Sequence, residues 1–158
     1  MIEDLTLRKA IEFAVKTEEA GHIFYTKMTK RFSDNAELQA IFQSLAKEEE
    51  AHEAQFKTLL EQVPEERPLK SQRERLAVLK AISMSEFFLG GSGLFKNLDE
   101  IETPEDVYRR AFQLEKDTLG YYLEMKQILG DNEILEAIIE AEERHVLAFA
   151  ERLTAGGL

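Results

Sequence analysis

Two segments of this chain, Glu49-Glu50-Ala51-His52 and Glu142-Glu143-Arg144-His145, set a glutamate three residues ahead of a histidine. That spacing puts both side chains on one face of a helix. In both segments the same face is otherwise apolar. Around the first it reads Leu38, Phe42, Leu45, Glu49, His52, Phe56, Leu59, Val63; around the second, Leu135, Ile138, Glu142, His145, Phe149. Steps of four and three make a seam that packs into a bundle core. Ionisable groups at the middle of such a seam narrow the possible folds, because buried charge needs partners from neighbouring helices.

The seams continue in two further helices. The first helix, expected over about 5–32, carries Leu7, Ile11, Ala14, Glu18, Gly21, Tyr25, Met28 and Phe32 on its inner stripe. The second runs over about 35–62, after a break at Ser33-Asp34-Asn35, where Asp34 and Glu37 resemble a capping box. The third bundle helix, about 104–129, opens on a Thr103 cap with Pro104 in the first turn and stops at Gly130. Its stripe is Tyr108, Ala111, Glu115, Thr118, Tyr122, Met125, Leu129. The fourth, about 132–153, is expected to be capped by Asp131. Gly156-Gly157 reads as a frayed tail.

Between the second and third bundle helices lie some 40 residues, too long a stretch for a tight turn between antiparallel neighbours. VPEERPLK reads as a turn. Ser71-x-x-Glu74 opens an extra helix over about 72–89, which Gly90-Gly91 would end, and GGSG is a flexible piece without the Lys-Ser/Thr of a phosphate loop. A crossover fits, with the third bundle helix expected to start at the end of the bundle where the first helix started. The fold class is therefore all-α: one domain over 1–158, a four-helix bundle with a long crossover that carries an additional helix.

The two halves repeat. Glu18, Gly21, Tyr25, Met28 and Phe32 correspond at a constant offset to Glu115, Thr118, Tyr122, Met125 and Leu129. Phe42, Leu45, Glu49, His52 and Phe56 correspond in the same way to Leu135, Ile138, Glu142, His145 and Phe149. Each half is a helical hairpin with Glu-x6-Tyr on its first helix and Glu-x2-His on its second. Two such hairpins related by a pseudo-twofold axis would bring six metal-binding side chains together: Glu18, Glu49, His52, Glu115, Glu142 and His145.

Spacing alone is weak evidence in so glutamate-rich a chain, since Glu19-x-x-His22 shows it too. Glu19 lies off the seam and His22 at best flanks it, so a solvated helix face is their reading. Glu48, Glu50 and Glu53 also fall off the seam. Four seam carboxylates without partners would each cost several kcal/mol or be forced to protonate, and two divalent cations would balance them. Glutamate and imidazole ligation without thiolate suits Fe or Mn better than a structural zinc site. Tyr25 and Tyr122, seven residues after a seam glutamate, read either as core aromatics or as hydrogen-bond donors to carboxylate ligands.

Composition excludes several classes. A net charge of -11 over 158 residues argues against a nucleic-acid partner. No apolar run approaches a membrane span. The absence of cysteine excludes disulfides, thiolate metal sites and a rubredoxin-type centre. The amphipathic, acidic N-terminus does not read as a signal peptide, so a cytoplasmic location is expected.

The motifs EEAGHIFY, EEEAH, EKDTLGYY and EERH, in this order, resemble the ferritin-like superfamily and within it the rubrerythrin-type proteins, over nearly the whole chain. The resemblance implies a ferritin-like bundle with Glu18 and Glu115 as terminal ligands, Glu49 and Glu142 bridging, and His52 and His145 as one imidazole per metal. The chain departs from full-length rubrerythrins in lacking the cysteine-bound rubredoxin domain. It also has Thr118 where they carry a further glutamate.

These features lead to a non-haem protein with two Fe ions, or two Mn, acting as an oxidoreductase on peroxide or O2. Its expected partners are that small oxidant, a separate electron-donor protein and a second copy of the chain in a homodimer. The alternatives are an iron-binding or storage protein and a structural protein that keeps a metal site.

Overall fold

The computed structural model describes residues 6–64, 69, 71–89 and 98–155. Leu5, most of the turn expected at VPEERPLK, the GGSG segment and Gly156-Gly157 lie outside the described residues. The elements are α1 (Leu7–Arg31), α2 (Ala36–Gln62), α3 (Gln72–Leu89), a single 3-10 turn at Leu98–Glu100, α4 (Pro104–Leu129) and α5 (Glu133–Ala155).

Local chemistry sets the ends. Thr6, Ser71 and Thr103 each accept a hydrogen bond from the backbone N–H three residues on, at 3.2, 3.1 and 3.2 Å. Two caps differ from expectation. Asn35 rather than Asp34 caps α2, accepting from the Leu38 N–H at 3.1 Å, and Asn132 rather than Asp131 caps α5, accepting from Leu135 at 3.0 Å. An N-cap must precede the first helical residue directly and reach the third. With helices starting at Ala36 and Glu133, the asparagines hold that place. Gly130 ends α4 with φ of 70°, a conformation that favours glycine.

The bundle direction of α4 is a second correction. Arg31 at the end of α1 donates through Nε to the Ile101 carbonyl at 2.9 Å, so α4 begins where α1 ends. Arg8, near the start of α1, donates to the Leu60 carbonyl at 3.2 Å, which places the end of α2 at the opposite end. The connection therefore spans the bundle lengthwise. The 18 residues of α3 cover about 27 Å of that distance at 1.5 Å per residue. α1 and α4 run antiparallel, as a pseudo-twofold axis across the bundle requires.

The seams of α1, α2 and α5 are buried at every expected position, and along α4 from Ala111 to Met125. At the ends of α4, Tyr108 and Leu129 are half-buried, and Val107 and Ile128 take the inward places. The apolar core is in two parts. One holds Leu7, Ile11, Phe56, Met125, Leu135 and Ile138. The other holds Phe24, Met28, Phe42, Val107 and Phe149. The seam acids and histidines fall between the two along every helix.

Candidate metal centre

Each bundle helix brings one glutamate to the middle layer. Glu18, Glu49, Glu115 and Glu142 are at most 3% exposed, and His52 and His145 are buried beside them. The six side chains form two overlapping groups. Glu18, Glu49, His52 and Glu142 offer one ligand atom each within 4.8 Å of one another, and so do Glu49, Glu115, Glu142 and His145. Glu49 and Glu142 belong to both. Each remaining glutamate and histidine belongs to one.

The distances show the same division. His52 Nδ1 lies 3.2 Å from Glu142 Oε1 and 3.6 Å from Glu18 Oε2. His145 Nδ1 lies 3.5 Å from Glu115 Oε1 and 3.7 Å from Glu142 Oε2. Both imidazoles thus turn Nδ1 inward. Tyr25 donates to Glu115 Oε1 at 2.5 Å, and Tyr122 donates to Glu18 Oε1 at 2.6 Å. Each tyrosine serves the glutamate of the other hairpin, so the hydrogen-bonding reading applies to both.

Gly21 explains how α1 and α2 approach closely here. A Cβ at this position would stand 3.0 Å from Glu49 Oε2 and 3.1 Å from Glu49 Cδ. Its counterpart, Thr118, is buried with a hydroxyl that has no hydrogen-bond partner. Thr17 and Thr29, by contrast, bond the carbonyl four residues back, at 2.8 Å each.

The protonation of the cluster records its electrostatic load. Burial, and then the charge of Glu18, pushes Glu49 well above the usual carboxylate range. Burial, and then Glu115, does the same to Glu142. Burial works against His52, but the Glu142 and Glu18 carboxylates facing Nδ1 outweigh it and raise the imidazole to about 9. His145 is raised against burial to about 11 by Glu115 and Glu142. Glu115 goes the other way: the Glu142 carboxyl and the His145 imidazole beside it overcome burial and hold it at about 2. Protons and imidazolium charge thus neutralise a site that two cations would neutralise instead.

The residues fit a metal pair on a direct observation. Glu18 Oε2, both oxygens of Glu142, and Nδ1 of His52 and of His145 are buried without a hydrogen-bond partner. Buried polar atoms are rarely left so, and these converge. Glu19 and His22 stand apart, with Glu19 exposed and His22 Nδ1 at 2.9 Å from the Ala46 carbonyl. Sequence reasoning passed over Glu48, whose Oε2 lies 2.5 Å from His145 Nε2. Its place directly before a seam glutamate, on the flank of the seam, was the available signal. A cavity of about 360 Å3 lined by Ile41, Ser44, Leu45, Ala148, Phe149 and Arg152, among others, reaches His145.

Two glutamate-bearing hairpins around a buried carboxylate–histidine cluster define a ferritin-like bundle with a site for two metal ions. The sequence profile of the rubrerythrin family matches residues 9–153, and the chain belongs to that family. Comparison with curated proteins and with solved structures gives no match. No helix among the described residues is long and apolar enough to cross a membrane.

Proposed function

We propose that this chain holds two iron ions and reduces peroxide or O2 with electrons from a separate donor protein. Manganese is the alternative metal. The observation that carries the proposal is the convergence of five buried, unpartnered ligand atoms from three helices, α1, α2 and α5. Glu49 and Glu142, common to both groups, would be shared by the two ions, and Glu18 with His52 and Glu115 with His145 would complete the two ends. A ferrous pair held there would supply two electrons, enough with two protons to convert hydrogen peroxide to two waters.

The protein's own contribution is orientation and exclusion. Tyr25 and Tyr122 hold one oxygen of Glu115 and of Glu18. Burial, and then the adjacent acids, keeps both phenols protonated, so they remain donors. The apolar clusters on either side keep bulk water from the layer, and the cavity beside His145 is of a size for a small oxidant. With no cysteine in the chain, no iron–sulfur relay can be built from it, so a separate donor would supply the electrons.

The test is stopped-flow oxidation of the anaerobically reduced, iron-loaded protein by one equivalent of peroxide. A single turnover should proceed without a donor, and continued turnover should require one. Thr118→Glu should accelerate the step by supplying a further oxygen ligand. Inertness of the reduced protein to both peroxide and O2 would overturn the proposal.

A further inference from the structure

The symmetry of the cluster extends to Tyr25 and Tyr122 but breaks at the outer nitrogens of the two histidines. His145 is held at both nitrogens: Nδ1 faces Glu115 and Glu142, and Nε2 meets Glu48 Oε2 at 2.5 Å. The position equivalent to Glu48 in the second hairpin is Ala141, which is buried and has no polar atom to offer His52. Among the described residues, no acid is bonded to the outer nitrogen of His52.

This difference has a chemical consequence. A carboxylate on the outer nitrogen fixes the imidazole tautomer with its proton on Nε2, leaves the Nδ1 lone pair free, fixes the ring plane and increases ligand basicity. Glu48 reaches His145 across the bundle from α2. From this geometry we infer that Glu48 is a positioning residue for His145 and makes the two metal positions unequal, with the position at His145 the tighter. The inference rests on the two-metal reading above.

Anaerobic titration with Co(II), followed by calorimetry and by visible absorption, tests both and separates them. The wild-type chain should bind two ions in resolvable steps. Glu48→Ala should weaken one step by about 10- to 100-fold, the usual effect of removing such a partner, and leave the other. Glu48 is half-exposed on a helix, so alanine there does not threaten the fold. Glu48→Gln keeps a neutral acceptor and should recover part of the loss. In a His52→Ala background Glu48→Ala should still weaken the remaining step, whereas in a His145→Ala background it should have no effect. Two equal wild-type steps, or a Glu48→Ala effect independent of His145, would overturn the inference while leaving the two-metal reading intact. A wild-type chain that binds no metal would overturn that reading itself.

Discussion

Tyr122 on α4 donates its hydroxyl hydrogen to Glu18 on α1 at 2.6 Å, joining the two hairpins at the level of the metal-binding cluster. The phenol is fully buried, so the acid has no water to replace it. Tyr122→Phe removes the donor and keeps the ring. It should destabilise the metal-free protein by about 1–3 kcal/mol, the range for an unsatisfied buried group, measured by denaturant unfolding. Tyr25→Phe should act alike through Glu115. Unchanged stability in both would show that these bonds do not couple the halves.

Glycine substitutions separate the site from the scaffold. Gly21→Ala sets a Cβ against the Glu49 carboxylate, so metal affinity should fall by about tenfold or more, as when a supporting contact is lost. Gly120→Ala on α4 meets nothing within 4 Å and should instead stabilise the protein by about 0.4–1 kcal/mol. Metal titration and thermal melts of the two variants check the contrast.

The pH dependence of the metal-free protein follows from the cluster. Glu49, Glu142, His52 and His145 all hold protons more tightly folded than unfolded. Their stabilisation is complete below the unfolded values and is lost as pH rises through the folded ones. For His52 that window runs from 6.5 to about 9, and for His145 from 6.5 to about 11. Glu115, lowered from 4.5 to about 2, contributes above 4.5 and loses its contribution as pH falls toward 2. The metal-free melting temperature should therefore decline between pH 5 and 9. A steady rise over that range would contradict the protonation pattern.

Metal binding should reverse this decline. Ligation requires neutral imidazole and ionised carboxylate, so loading at pH 7 should release protons, with both histidines contributing. Calorimetry in buffers of different ionisation enthalpy measures the number. Loading without proton release would mean that His52 and His145 are not displaced from their protonated state.

Much of this was legible in the sequence because it depends on period. Glu18, Glu49, His52, Glu142 and His145 stand on apolar stripes, and a stripe of the right period can only face the core. The Glu-x6-Tyr repeat placed Tyr25 and Tyr122 near carboxylates, though not which ones. The crossed pairing depends on α4 running antiparallel to α1, a relation set by how far the long connection travels. Periodicity does not carry that distance. Glu48 was missed for a related reason: it flanks the seam, and only the approach of α5 gives it a histidine. The caps at Asn35 and Asn132 turned on one-residue differences in where a helix begins, which neighbouring Asp and Asn leave ambiguous.

Seam glutamates, not glutamates in general, should make the site. Metal content after anaerobic iron loading tests this most directly, comparing Glu49→Ala and Glu142→Ala with their neighbours Glu50→Ala and Glu143→Ala. Glu50 and Glu143 are exposed, one residue from groups that are buried. About two metal ions per chain are expected in the wild type and in both exposed variants, with a sharp loss in the buried ones. Equal losses at all four positions, or none at any, would contradict this.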